Sequence, residues 1–493
     1  MFPAMTLASL HTRAAFAIRT AAAWAILFVG ASIPAMADSR TYVADPQAAS
    51  GQAGYYRTLL GSLTPGDTLS LPSGVYMERL NLDGVNGTPS GWIVITGPAS
   101  GPAATITTTS TCCNTVQLGG TSYVVLRNIT IDSAGLSAID GINAKGNPTH
   151  DIVIENCTLI GQDNSQGTVA ISTKSPAWRW TIRGNRIIQA GTGIYFGNSD
   201  GTQPFVSGIV EGNLFLNTIG YNMEIKNQLP YGAQAWASQL PPEPHRTIIR
   251  NNVFIKEKND WAPGQVVGAR PNLLVDPFPD TGTGSSDLYE IYGNFFYKNP
   301  NEVLFQATGR MTVHDNVFVA SSGGRAAALF TDHNGPLKFA HVYNNSVFSV
   351  AGGGFHFSVA PREGGIVRGN LVVTAGSALS GSVPTASGNL VGTPSDGKTY
   401  FTTPSETLGQ MDFYPAVSCV GCSGTPLDLS PFAGNTGFNL DFNGESKGDF
   451  RFRGAYAGEG ANPGWRLQAG LKPQGIPVSD TLPPGPPINL RAP

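Results

Sequence analysis

The stretch IGYNMEIKNQ, residues 219–228, alternates apolar and polar side chains with strict parity. Tyr221, Met223 and Ile225 share one parity; Asn222, Glu224 and Lys226 share the other. In a strand the two parities point to opposite faces, so one face carries an amide, a carboxylate and an amine side by side. Such a set can move a proton or stabilise developing charge. Arg270 and Asn272, in GARPN, extend it. Arg270 is a poor proton donor and suits charge stabilisation. Lys226 suits a base if burial and positive neighbours lower its pKa. Ca²⁺ held by Glu224 is the one cofactor the set suggests. The plainer reading is an exposed ion pair on the wet side of a sheet, which contributes little.

Further candidates lie elsewhere. His245 and Arg246 (EPHRTIIR), Gln306 (EVLFQA), Asp332 and His333 (FTDHNG) and His356 (GFHFS) are polar residues placed to contact a ligand. His314 and His341 flank a repeated phrase and read as structural. No zinc-protease, P-loop, nucleophile-elbow or dinucleotide motif occurs in a supporting context.

The elements that must position these residues show themselves as a repeat. A phrase of the form apolar-x-small-Asn-x-apolar recurs around Asn128, Asn156, Asn185, Asn213, Asn252, Asn294, Asn316, Asn345, Asn370 and, more weakly, Asn389. Successive separations are 28, 29, 28, 39, 42, 22, 29, 25 and 19 residues. A period of this size with strand alternation predicts an all-β solenoid of about ten coils, whose Asn side chains stack from coil to coil. A second strand follows each phrase. Aligned on its large apolar residues, Phe196, Met223, Phe305, Phe330 and Phe357 form one inward stack. Gly197, Glu224, Gln306, Thr331 and Ser358 then come next on the outside. The two long separations, 213 to 252 and 252 to 294, mark insertions that become loops beside the Glu224 strand. They are rich in Trp, Tyr and Pro, as in LPYGAQAWASQLPPEPHR and KNDWAPG, and aromatic side chains of this kind can wall a cleft.

Composition narrows the partners. The formal net charge is −3 and only 13% of residues are charged, which gives no case for nucleic acid or anionic lipid. Gly (61) and Pro (36) are plentiful, as a turn-rich β protein needs. Residues 1–37 read as a signal peptide: Arg13 and Arg19, the apolar run AAAWAILFVGA, then AMA. That run is too short to span a bilayer stably, and a periplasmic or extracellular monomer without stable membrane insertion is expected. Of the five cysteines, Cys419 and Cys422 can close a small ring, and Cys157 reads as a buried thiol.

The phrases GDTLSLPSGVYMERLNL (66–82) and PSGWIVITGP (89–98), with the Asn repeats, resemble the coils of right-handed parallel β-helix proteins of the pectate-lyase type. The resemblance covers about residues 41 to 395. It implies a β-helix domain over 38–395, C-terminal coils or a cap over 396–475, and a Pro-rich flexible tail over 476–493. It also implies a polysaccharide partner, with acidic glycans foremost. MEIKNQ resembles the Glu and Lys strand of alginate and chondroitin lyases, although the R-H-G rung that follows there is absent, as are the W-x-D-H and R-x-P-x-x-R motifs of pectate lyases. The expected activity is β-elimination from a uronate polymer, with Glu224, Lys226 and Arg270 catalytic. Asn222, His245, Arg246, Asn272, Gln306, Asp332, His333 and His356 are expected to bind substrate. A glycoside hydrolase pairing Glu224 with Asp276 or Asp332 is the alternative; a non-catalytic glycan-binding or surface structural protein is the third reading. Exported material should begin near Asp38, and N-terminal sequencing that finds Met1 on it contradicts the signal peptide.

Overall fold

The computed structural model describes residues 39–260 and 268–473. The expected signal peptide, Trp261 and its neighbours to residue 267, and the Pro-rich tail lie outside the described residues. Three parallel sheets wind along the chain, and each coil contributes a strand to each in turn. Among the described residues sheet 1 has 15 strands, 13 of them on one continuous path; sheet 2 has 12 and sheet 3 has 11. The count corresponds to about twelve coils rather than ten, because the first turns, such as Thr68–Ser70 and Ile93–Thr96, belong to the stack but carry no Asn phrase. This is a right-handed parallel β-helix.

The Asn phrase is the turn from sheet 1 to sheet 2. Asn213 Oδ1 accepts from the backbone N–H of Asn185 at 2.9 Å and from its Nδ2 at 3.0 Å. Asn213 Nδ2 in turn donates to Ile182 O and to Asn252 Oδ1. The pattern repeats through Asn252, Asn294, Asn316, Asn345, Asn370 and Asn389. Each buried amide is satisfied by the coil before and the coil after, as burial demands. Asn128 and Asn156 are not rungs of this ladder. They have φ of 58° and 53° and occupy the preceding left-handed position, which Gly184 and Gly212 fill in later coils. Asn tolerates that conformation, so sequence alone merges the two roles. The ladder position beside Asn156 is Cys157, whose N–H donates to Asn185 Oδ1; its thiol is buried and its pKa is pushed up to about 12 by burial.

Inside the coils, Phe215, Phe254, Phe296 and Phe318 stack at 4.7–4.9 Å between ring centroids. The expected stack on sheet 3 divides into two rows. Ile194, Met223, Leu273, Phe305 and Ala328 form one; Phe196, Ile225, Val275, Ala307 and Phe330 form the other. A slip of two residues preserves inward parity, so hydrophobicity does not reveal it. Outside sheet 1, register places Arg127, Glu155, Arg183, Glu211 and Arg250 in one column. Arg183 pairs with Glu155 at 2.6 Å and Arg250 with Glu211 at 2.8 Å. The column continues as Tyr292, His314 and Tyr343, stacked at 4.8 and 4.6 Å.

The C-terminal segment does more than follow the last coil. Phe401, Met411, Phe413, Phe442, Tyr456 and Leu467 pack on the outer residues of sheet 2, among them Leu214, Val253, Phe295 and Val317. Lys447 reaches Asp315 at 2.7 Å, and Lys472 donates to Gly293 O at 2.7 Å. Cys419 and Cys422 form a disulfide within this segment. Asn213→Leu should lower stability by about 3 kcal/mol, because more than one buried partner is orphaned at about 1–3 kcal/mol each. Denaturant unfolding of the variant checks this.

Candidate functional site

Met223 and Ile225 are fully buried in the core, which turns Glu224 outward in the strand Met223–Ile225. Outward is not exposed here. Glu224 sits between Tyr195 of one neighbouring coil and Leu274 of the other, and its side chain is 5% exposed. Lys226 Nζ donates to Glu224 Oε1 at 2.9 Å and lies 3.6 Å from Asp276 Oδ2. Asp276 follows the strand of the next coil, in the position that Lys226 holds in its own. Its side chain is 0% exposed and accepts from His333 Nδ1 at 2.6 Å and Asn334 Nδ2 at 2.9 Å. The His333 side chain is 42% exposed, which leaves its far edge facing solvent. Arg270 stands before the strand Leu273–Val275, its guanidinium 5.6 Å from the centre of the Tyr221 ring and within electrostatic reach of Glu224. Its carbonyl oxygen accepts from Lys256 Nζ at 2.9 Å and from Asn299 Nδ2 at 2.8 Å, which ties down the backbone at this point. Burial, with Arg270 nearby, pulls the pKa of Lys256 down to about 7.

The electrostatics reverse one expectation. Burial alone would lower the pKa of Lys226, but Glu224, Asp276 and Tyr195 outweigh it and raise the value. Lys226 is therefore a held cation, not a base poised near neutrality. Burial raises the pKa of Glu224, with Asp276 adding to it and Lys226 and Arg270 opposing. The hydrogen bond to Asp276 raises His333 above 6.5 against the pull of burial. Burial also raises the phenols of Tyr195 and Tyr221, so both keep their protons. Calcium does not fit these residues. The Lys226 ammonium already occupies the space between the two carboxylates, and among the described residues no three His, Cys, Asp or Glu side chains are grouped to hold a metal.

Of the expected site residues, Glu224, Lys226 and His333 come together with Asp276, and Arg270 acts on Glu224 through its charge; the others do not join them. Asn222 is fully buried and donates to Thr218 Oγ1. Asn272 is fully buried and exchanges hydrogen bonds with Asn299 and Lys298 O. Arg246 pairs with Glu290 and donates to Gly434 O, away from sheet 3. Asp332 caps Leu337 N–H and faces Arg362. Gln306 is two coils from Glu224 and His356 is four, or about 10 and 19 Å at the spacing of neighbouring strands. His356 bonds to Ser380 Oγ instead. Asp276, expected only as the second acid of a hydrolase, joins them, and Asn334, Tyr195 and Tyr221 are the additions. Only stacking across coils brings Asp276 and Asn334 to Lys226.

The first insertion folds away from the polar strand. Tyr231 and Trp236 are buried against Trp178 and Val206, with Trp236 stacked on Trp178 at 5.1 Å. These aromatic rings therefore do not wall a cleft; they anchor the loop. His245 is the other anchor. Its Nδ1 faces Asp287 and Tyr231 Oη, and its Nε2 faces Pro241 O at 2.9 Å. Both ring nitrogens thus meet oxygen acceptors, which favours the doubly protonated ring.

No family model matches the chain, and no curated protein matches it. Solved structures do. An alginate lyase from Paenibacillus is similar at 15% identity and a TM-score of 0.41, over 64% of this chain and 97% of the other. A pectate lyase is similar at 13% and 0.44, over 72% and 80%. The A-module of a mannuronan C-5 epimerase from Azotobacter vinelandii is similar at 14% and 0.41, over 68% and 92%. The winding of the chain is read from its three parallel sheets, and its chemistry from the residues just described.

His245 makes a stability test. Burial lowers its pKa, but Asp287, the Pro241 carbonyl and Glu243 outweigh this and raise it above 6.5. A raised histidine stabilises the fold fully below its unfolded pKa, and that contribution is lost as pH climbs through the raised value. The denaturation midpoint should therefore fall with rising pH above 6.5 in the parent, and His245→Gln should flatten that slope.

Proposed function

We propose that this protein cleaves a uronate-containing polysaccharide by β-elimination at the Lys226–Asp276–His333 site. The observation that carries the reading is the Asp276–His333 pair standing beside a fixed cation. Elimination next to a carboxylate needs positive charge to stabilise the anion that forms, and a base to take the adjacent proton. Lys226 and Arg270 supply the charge. His333 takes the C-5 proton at Nε2, the C-4–O bond breaks as the C-4=C-5 double bond forms, and the departing oxygen recovers a proton from the imidazolium. Asp276 holds the ring by Nδ1 and favours its protonated form. Glu224 positions Lys226.

Hydrolysis by two carboxyl groups finds less support. Asp276 is wholly buried beneath His333 and Asn334, and Asp332 is engaged by Leu337 and Arg362, so neither stands open as a second acid beside Glu224. In this reading the protein works outside the cytoplasm after export.

Incubation with polygalacturonate and alginate should generate unsaturated ends, seen by ultraviolet absorbance. New reducing ends without unsaturation would mean hydrolysis, and binding without either product would mean a non-catalytic role. His333→Ala should cut turnover about 100-fold or more, the scale of a lost acid–base group. Since the neutral ring is the base, kcat/KM should rise with pH through an inflection above 6.5. Asp276→Asn should move that inflection to lower pH, because the imidazolium loses its anion.

A further inference from the structure

The column of side chains that holds Lys226 continues toward the N-terminal coils, and there it is basic. Lys145 is in register with Lys174 on neighbouring strands of sheet 3. Thr173 is in register with Phe196, and Phe196 with Ile225, so the next positions along the column are Gly197 and then Lys226. Neighbouring coils lie about 4.8 Å apart. Toward the C-terminal coils the same column reads Asp276, Thr308, Thr331 and Ser358, with no cation. The basic run is therefore one-sided.

Lys145 and Lys174 are exposed, unlike Lys226, and neither is held by a carboxylate among the described residues. The Lys174 ammonium lies 5.5 Å from the centre of the Tyr195 ring, and Tyr195 is the neighbour of Glu224 one coil down. Residues 146–148 and 175–176 are the whole of the connections beyond these two lysines, so no long loop rises from either coil. Gly197, at φ 89°, puts no side chain between Lys174 and Lys226, and the connection 197–204 that starts there brings Gln203 O to 3.2 Å from where a Cβ would stand, so it borders the path.

We propose that an anionic glycan lies along this column, running from the His333 site across Gly197 to Lys174 and Lys145, with its ring carboxylates facing the two exposed lysines. The proposal rests on the uronate reading of the site and deepens it. The substrate carries carboxylates on successive rings, it spans about four coils, and the linkage that reacts lies toward one end of the bound stretch. Exposed cations act through weak, salt-screened attraction. Their effect therefore belongs to binding and encounter rather than to the bond-breaking step.

The test uses the full chain with Lys145→Ala and Lys174→Ala combined, and the same pair changed to Glu. Binding to polygalacturonate and to alginate is measured by affinity electrophoresis, with a neutral β-glucan as control, and KM and kcat are measured on whichever polymer is cleaved. The Ala pair should bind the polyuronate about tenfold more weakly, as two exposed ion pairs permit. The loss should fall on KM, with a shallower salt dependence, and the Glu pair should lose more. Thermal unfolding that matches the parent shows that the variants fold. If the parent cleaves polyuronates and both variants keep its KM and salt dependence, this proposal is overturned and the elimination site stands. If the parent neither binds nor cleaves any polyuronate, both fall together.

Discussion

Everything in this protein hangs on one repeated amide. Each Asn of the ladder accepts at Oδ1 from the coil before and divides its Nδ2 hydrogens between the coil before and the coil after, so neighbouring coils are fixed to within a hydrogen bond. Side chains far from the turn inherit that register. Lys226 and Asp276 are neighbours because residues 213, 252 and 294 are neighbours, despite insertions that separate them by 39 and 42 positions. The loops are free to vary in length because the ladder, not the loop, sets the alignment.

The site illustrates what such alignment makes possible. A lysine between two carboxylates at the edge of a β-solenoid would contribute little if water reached all three. Here Glu224 and Asp276 are buried, so the charges hold one another in place and the ammonium keeps its proton. The exposed member is His333, tethered to the most buried acid. A fixed cation and a mobile proton are therefore brought together from coils three steps apart, because His333 reaches back from the connection after Ala326–Phe330 to the coil of Asp276.

The repeat was legible because a ladder needs the same residue at every coil, and periodicity reports that directly. Where Asn128 and Asn156 misled, the cause was chemical: Asn serves both the ladder and the left-handed position before it. The split of Phe196 and Met223 into different rows was invisible for another reason, since a two-residue slip keeps every apolar side chain inside. Parity put Glu224 and Lys226 on one side of their strand. Parity says nothing of what lies above, so the burial of Asn222 and the raised pKa of Lys226 were out of reach. The Asp276–His333 pair joins residues 57 apart in sequence through a turn of FTDHNG that resembles any polar loop.

The outer column of sheet 1 has a consequence for how the coils find one another. The Asn ladder is the same at each step, so a coil that bypassed its proper neighbour would still find an amide to bond. The column Arg127, Glu155, Arg183, Glu211, Arg250 is not the same at each step, because its sign alternates. Skipping one coil would set arginine on arginine or glutamate on glutamate, and like charges directly opposed destabilise a pairing. Alternation thus distinguishes correct winding from winding displaced by a single turn, which a uniform ladder cannot do. Ladder and column run together over the coils of Arg183, Glu211 and Arg250, and there the charges supply the order that identical amides leave open.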